Sequence, residues 1–210
     1  VIVCPECMSF PDMIDILSNS YRLSNITLYH GKIMTNYVYI AQSLDGFIAG
    51  PNGELDWLEN IDNPEQSDFG FSAFMGTIDA LVMGKNTFEK VLSFGMWPYD
   101  KPVFVASSSL SVLPSSVEGK AFLLKGTPKD MITGLHKKGY ANLYIDGGAV
   151  IQNFLREDLI DELIVSTIPV LLGEGIPLFG YLPKQVQLKL VCSEVLLNQL
   201  VKTRYQVKKA

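Results

Sequence analysis

A chain of 210 residues, 48% apolar and 19% charged, can bury the core of one domain, with or without an appendage. A net charge of −5 offers no basic footprint for a nucleic-acid backbone, and no apolar run approaches the roughly 18 residues that a membrane span needs. Three cysteines (Cys4, Cys7, Cys192) are too few for a disulfide framework, so a soluble protein of the reducing cytoplasm is expected.

Residues 1–33 show no sustained periodicity and lack the basic start and apolar stretch of a secretory signal. Met34 opens "MTNYVYIAQSLDGFIAG", which reads as the beginning of a domain. Gly31-Lys32 would be encoded by a purine-rich run placed where a bacterial ribosome-binding site would lie. Residues 1–33 are therefore expected to be an upstream extension or a disordered tail, and 34–210 the domain. Cys4-Pro-Glu-Cys7 lacks the second pair of ligands that zinc needs and the strand end that redox pairs use, so no metal centre is expected.

From Tyr37 to Gln42, Val38 and Ile40 alternate with two tyrosines, a strand pattern. A turn-rich loop follows through Pro51-Asn52-Gly53. Phe71, Phe74, Met75 and Ile78 recur at helical spacing, predicting a helix between Pro64 and Ile78. "DALVMG" is a short apolar strand of the kind buried on both faces, "NTFEKVL" a helix and "VFVAS" a second buried strand. "KAFLLK" is a further strand, and Thr127-Pro128 is an N-cap with proline at the first helical position. "NLYID", the helix of "GGAVIQNFLRED" and "DELIVSTIPV" continue the alternation, and two β-rich runs, "VQLKLVCSEVL" and "NQLVKTRYQVK", form a hairpin. The expected fold is α/β: a three-layer, mainly parallel central sheet with helices on both faces and a C-terminal antiparallel hairpin.

Such sheets bind ligands beyond the carboxyl ends of their strands. There, Gly84 permits close approach, Lys85 adds charge, Asn86 and Thr87 open a helix, and free helical N–H groups suit a phosphate; an ordinary strand-to-helix turn is the alternative. Gly147 and Gly148, followed by Ala149 and Val150, repeat the pattern at a second helix start, where a tight turn is the alternative. Together the two starts suggest a ligand carrying a diphosphate. Ser107, Ser108 and Ser109 stand where NAD-selective sites place an acid, which tilts the cofactor toward NADP. The G-x-G-x-x-G fingerprint and the Gly-Lys-Ser/Thr phosphate loop are both missing, and two histidines, His30 and His136, do not suggest a triad. Asp68, three residues before Phe71, falls on the apolar helix face, as a pocket acid with a raised pKa or as a helix cap.

The ordered stretches "SLDGFIAG", "DWL", "IDALVMGKNTFE", "GMWPYDKPVFVASS", "YIDGGAVIQNFL", "LIDELIVSTIPVLLGEGIPLF" and "TRYQV" resemble the dihydrofolate reductase-like superfamily. That superfamily includes the reductase domain of the bifunctional riboflavin-biosynthesis enzyme. The resemblance implies NADPH-dependent reduction of a small heterocycle of the pterin or aminopyrimidine class. Gly84, Lys85 and Thr87 match its Gly-Arg-x-Thr phosphate grip, with a point charge in place of a forked one. It further implies that Ala41 and Ile48 touch nicotinamide, that Ser107 to Ser109 lie beside the adenosine ribose, and that Gly147-Gly148 carries a cis peptide beside the nicotinamide and diphosphate. Asp45 and Trp57 match substrate-side positions, and Asp68 the acid that orients and helps protonate the substrate. The arginines that riboflavin reductases use around a ribose phosphate are missing from "FSAFMG" and "GMWPYDK". A homodimer covering the edge of the hairpin is expected, since an exposed β edge invites pairing.

Overall fold

The computed structural model describes residues 27–29 and 32–209. β1 (Thr27–Tyr29) and β2 (Lys32–Ser43) open the described chain, followed by β3 (Phe47–Ala49), α1 (Phe71–Thr77), β4 (Ala80–Gly84) and α2 (Lys85–Ser93). Next come β5 (Val103–Ala106), β6 (Ala121–Leu124), α3 (Pro128–Lys137), β7 (Asn142–Asp146) and α4 (Gly148–Arg156). β8 (Glu162–Ile168), β9 (Ile176–Pro177), β10 (Gln187–Leu196) and β11 (Leu200–Lys208) complete it.

The main sheet runs β10-β11-β8-β2-β7-β4-β5-β6, with β1 paired to the start of β2. The six strands from β8 to β6 pair in parallel, while β11 and β10 add on antiparallel. Residues 82 and 145 on one face and 81 and 144 on the other are all buried, which is why these strands are apolar throughout. One layer packs Phe74 of α1 and Phe88 of α2 on Tyr37, Leu81 and Tyr144. The opposite layer packs Ile132 and Leu135 of α3 and Ile151 and Phe154 of α4 on Val38, Val82 and Ile145. Each such fully buried side chain stabilises the fold by about 1.5–3 kcal/mol before ordering costs. The three-layer expectation holds, hairpin included.

Two local expectations are corrected. Helix α1 begins at Phe71, not near Pro64, because Gln66, Phe69 and Gly70 all have positive φ, which no right-handed helix accommodates. Cys192 on β10 is disulfide-bonded, where the sequence led us to expect reduced thiols. Residues 1–26, including Cys4-Pro-Glu-Cys7, lie outside the described residues. The strand that carries Met34 begins at Lys32, and Thr27 pairs with Met34. No helix among the described residues is long and apolar enough to cross a membrane.

Candidate active site

Because β2, β4, β5, β7 and β8 are parallel, the residues that follow them share one rim of the sheet. β4 and β7 are direct neighbours with Met83 level with Asp146, so Gly84 and Gly147 leave the sheet side by side. A Cβ built on Gly147 would lie 2.1 Å from Thr87 Oγ1, and its φ of +91° favours glycine independently. A Cβ on Gly84 would come within 3.1 Å of Val150 Cγ2, and one on Gly148 within 3.0 Å of Ile48 Cδ1. Gly84, Thr87, Gly147, Gly148, Val150 and Ile48 therefore meet in one place. Neither α2 nor α4 has a side-chain cap at its N-terminus, whereas α3, whose start is tied off by Thr127, does. The two uncapped starts expose backbone N–H groups and the positive ends of their dipoles. No cis peptide occurs among the described residues, so the bond between Gly147 and Gly148 is trans and the turn is made by the φ of Gly147.

The sheet also opens at this rim. β2 and β7 stop pairing after Tyr37 and Tyr144. Beyond that point β2 continues to Ser43 on β8 alone, and β7 continues to Asp146 on β4 alone. The result is a slot between Tyr39–Ala41 and Ile145–Gly147, at the place where successive crossovers leave in opposite directions. Ala41 lines the end of β2 and packs on the cluster that holds Trp57, Ile168 and Leu200. Lys85 is half-exposed and 3.7 Å from Glu89, one turn along α2, while Asn86 and Ala149 are exposed. Ser107 Oγ accepts from the N–H groups of Ser109 and Leu110, which closes its loop with Ser108 and Ser109 exposed.

Of the two alternatives for Asp68, the structure shows the helix cap. Asp68 is exposed and accepts from the N–H groups of Gly70 (2.8 Å) and Ser72 (2.9 Å), making it the cap of α1. The Ser72 bonds, then the Gly70 bond, hold its carboxyl below the usual range, so it is not a buried, protonated acid. Asp45 accepts from Ser43 Oγ at 2.6 Å and from the N–H groups of Leu172 and Gly173, clasping the loop after β2 to the loop after β8. These three bonds tie Asp45 to the fold. Trp57 is buried with no partner for its indole N–H among the described residues, and Gln42 Oε1 at the end of β2 is likewise unpaired.

One residue escaped sequence reasoning. Asp146 ends β7 at the edge of the slot, half-buried, and burial pushes its carboxyl up to about 6. Its signal in the sequence was an acid closing an otherwise apolar strand just before two glycines. An open hollow of about 500 Å³ along β6, lined by Phe104, Val112, Phe122 and Lys138 among others, shares no residue with this site.

Residues 37–202 match the RibD C-terminal domain family. The chain belongs to that family. Among its relatives, the uncharacterized protein YwjB of Bacillus subtilis strain 168 is 39% identical over 159 residues, which cover 73% of this chain and 87% of that one. A solved Shewanella sp. PV-4 structure, provisionally named for riboflavin biosynthesis, is 51% identical with a TM-score of 0.82, covering 84% of this chain and all of that one. Dihydrofolate reductase from Enterococcus faecalis, solved with NADP(H), shares the fold at 18% identity and a TM-score of 0.59, covering 84% of this chain and 97% of that one. The chain thus shares the fold of dihydrofolate reductase.

Proposed function

We propose that this RibD-type domain is an NADPH-dependent oxidoreductase that reduces a small heterocycle of the pterin or aminopyrimidine class. The observation that carries the reading is the convergence of Gly84, Thr87 and Gly147 at two uncapped helix mouths, where a Cβ on Gly147 would collide with Thr87 and one on Gly84 would crowd Val150. Those residues suit a dinucleotide diphosphate, with Gly148 and Val150 completing the cradle. Lys85 supplies the positive charge that a 2′-phosphate would engage, and Ser108 and Ser109 supply exposed hydroxyls. Ala41 and Ile48 would hold the nicotinamide at the mouth of the slot. When bound, reduced nicotinamide supplies a hydride to an electrophilic C=N or C=O carbon. The slot fixes the acceptor ring against it, and the apolar surroundings of Tyr39 and Ile145 limit water.

Family membership favours a second reading, reduction of 5-amino-6-(5-phosphoribosylamino)uracil in riboflavin synthesis. Against it, both arginines after Met34, Arg156 and Arg204, are engaged away from the rim, with Tyr181 and Glu162 respectively. We further propose a homodimer built on the exposed hairpin of β10 and β11.

Nucleotide binding followed by fluorescence tests the cofactor assignment. Lys85→Ala should weaken NADPH by about tenfold, the scale of one charge-assisted contact, and NADH far less. Equal losses would separate Lys85 from the 2′-phosphate. Binding of neither nucleotide by the unmodified chain would overturn the reading. Tight NADPH binding, with no oxidation in the presence of dihydrofolate or the riboflavin pyrimidine, would instead describe a non-catalytic nucleotide-binding protein.

A further inference from the structure

We propose that Lys202, on strand β11 of the C-terminal hairpin, is a positioning residue for the slot. It holds the Phe69 carbonyl, and through that carbonyl it sets the ring of Tyr39, the wall against which the heterocycle lies. The inference rests on the reductase reading and adds to it what keeps the ring-binding wall in place.

The sheet brings Lys202 toward the slot although it belongs to the hairpin. Lys202 is level with Ser166 of β8, and Ser166 is level with Ala41 of β2. Residues level with one another across a sheet project to one face, so Lys202 stands on the face of Ala41, two strands away. Tyr39, two residues before Ala41, shares that face, where Phe71 and Phe74 of α1 cover it. The ammonium of Lys202 ends at the turn into α1: a Cβ built on Gly70 would lie 3.3 Å from Nζ.

At that turn the Phe69 carbonyl accepts twice, from Lys202 Nζ at 2.7 Å and from the Tyr39 hydroxyl at 2.8 Å. Both lone pairs of the oxygen are used, so a shift of Phe69 disturbs both donors. Phe69 has a φ of +56°, a conformation costly for a residue with a side chain, and the two bonds hold it there. Glu194 on β10 meets the same ammonium at 2.7 Å. The charge of Lys202 is thereby answered within the hairpin. Lys202 acts on the slot through the backbone it holds, not as a ligand of the substrate.

From Tyr39 the arrangement continues across the slot. Its ring stacks on Phe74 at 4.7 Å and meets Phe71 edge-on at 5.6 Å. Both phenylalanines also meet Tyr144 of β7 edge-on. The Tyr144 hydroxyl donates to the Tyr39 carbonyl at 2.8 Å, just past the last pair of β2 with β7. Releasing Phe69 therefore loosens Tyr39 and the start of α1 together. A second tie from the hairpin, the reciprocal bonds of Gln199 with Asp62 at 3.0 and 2.6 Å, anchors the segment before α1 at its far end. Neither of those residues bonds to Phe69 or Tyr39, which makes Gln199 the control.

Binding of 2,4-diaminopyrimidine to the full chain in saturating NADPH tests the role. Carbon-13 spectra of labelled tyrosine rings report on Tyr39, whose resonances are identified by their loss in Tyr39→Phe. Lys202→Met, or Lys202→Gln should the first not fold, is expected to weaken the ring by about tenfold, the scale of one hydrogen bond to a charged group. The same variant should shift the Tyr39 resonances and leave NADPH affinity unchanged. Gln199→Ala should cost stability without loss of ring affinity. Unchanged ring affinity in the Lys202 variant overturns the proposal, as do Tyr39 resonances left in place or an equal loss in Gln199→Ala. Wild-type protein that binds NADPH but not the ring also overturns it and leaves the cofactor assignment standing. Wild-type protein that ignores NADPH overturns the reductase reading and this role together.

Discussion

Two carboxylates mark the contrast between position in sequence and environment in space. Asp68 stands in water with backbone N–H groups turned toward it, which stabilise the anion. Asp146 is buried, and burial outweighs the Gly147 N–H and the Tyr144 hydroxyl that favour its anion. The second case has a consequence for stability. Its folded pKa is raised above the unfolded value, so the folded chain binds the extra proton between the two values. Stability from Asp146 is therefore fully present below the unfolded pKa, near 4, and is lost as pH rises through about 6. Well above 6 the wild type bears the whole cost of a buried carboxylate, at most about 3 kcal/mol, and Asp146→Asn bears none. Urea unfolding should find Asp146→Asn more stable than wild type at about pH 8 and level with it near pH 4. A gap of the same size at both would mean that the carboxyl is not buried in its charged form. At this scale the glycines were legible, because a residue without a side chain before a helix has few uses. The pocket-acid alternative for Asp68 counted helical spacing through Gln66, Phe69 and Gly70, where the chain is not helical, whereas the helix-cap alternative rested on local chemistry alone.

Among the elements, the starts of the helices divide by task. Thr127 Oγ1 accepts from the Asp130 N–H and closes the start of α3, a bond that the Thr-Pro pair announced in the sequence. The starts of α2 and α4 are left open, and both face the cleft. Helix α1 spans seven residues and depends on Asp68 for two acceptors at its start. Asp68→Ala should therefore cost about 1 kcal/mol in thermal or chemical unfolding. NADPH affinity should stay unchanged in the same variant. A large loss of binding would return Asp68 to the substrate side. The divergence of β2 from β7 had no signature in either strand, because each keeps its β pattern past the point of separation. Only the partner changes, and a strand does not encode its partner locally.

Over the whole molecule, the parallel sheet ends on one side in β6 and on the other in the β10–β11 hairpin. β10 is an edge strand on which Leu190 and Val195 are 57% and 54% exposed, with Leu188 and Val201 also open. Unpaired backbone groups beside exposed aliphatics are a liability that a second copy would remove. Light scattering at micromolar concentration should report a dimer, and a charged pair such as Leu190→Lys with Val195→Lys should shift it to monomer with the nucleotide site intact. A monomeric mass for the wild type would end the dimer proposal. The clasp made by Asp45 also belongs to this scale, since it joins loops 127 or 128 residues apart in the chain. Such a contact gives Asp45 the look of a loop-borne ligand residue until the partner loop is seen.

The chain's own pattern determined the fold class, the order of strands and helices, and the two glycine-bearing mouths, because burial on both faces, capping chemistry and turn glycines act over a few neighbouring residues. Tertiary structure alone decided that the mouths share a rim, that the central strands part between Tyr37 and Ser43, and which acid lines the gap. Those outcomes depend on which strands lie next to each other and on how much water reaches a carboxyl. Neither quantity is local, and both are settled only when residues far apart in the sequence come into contact.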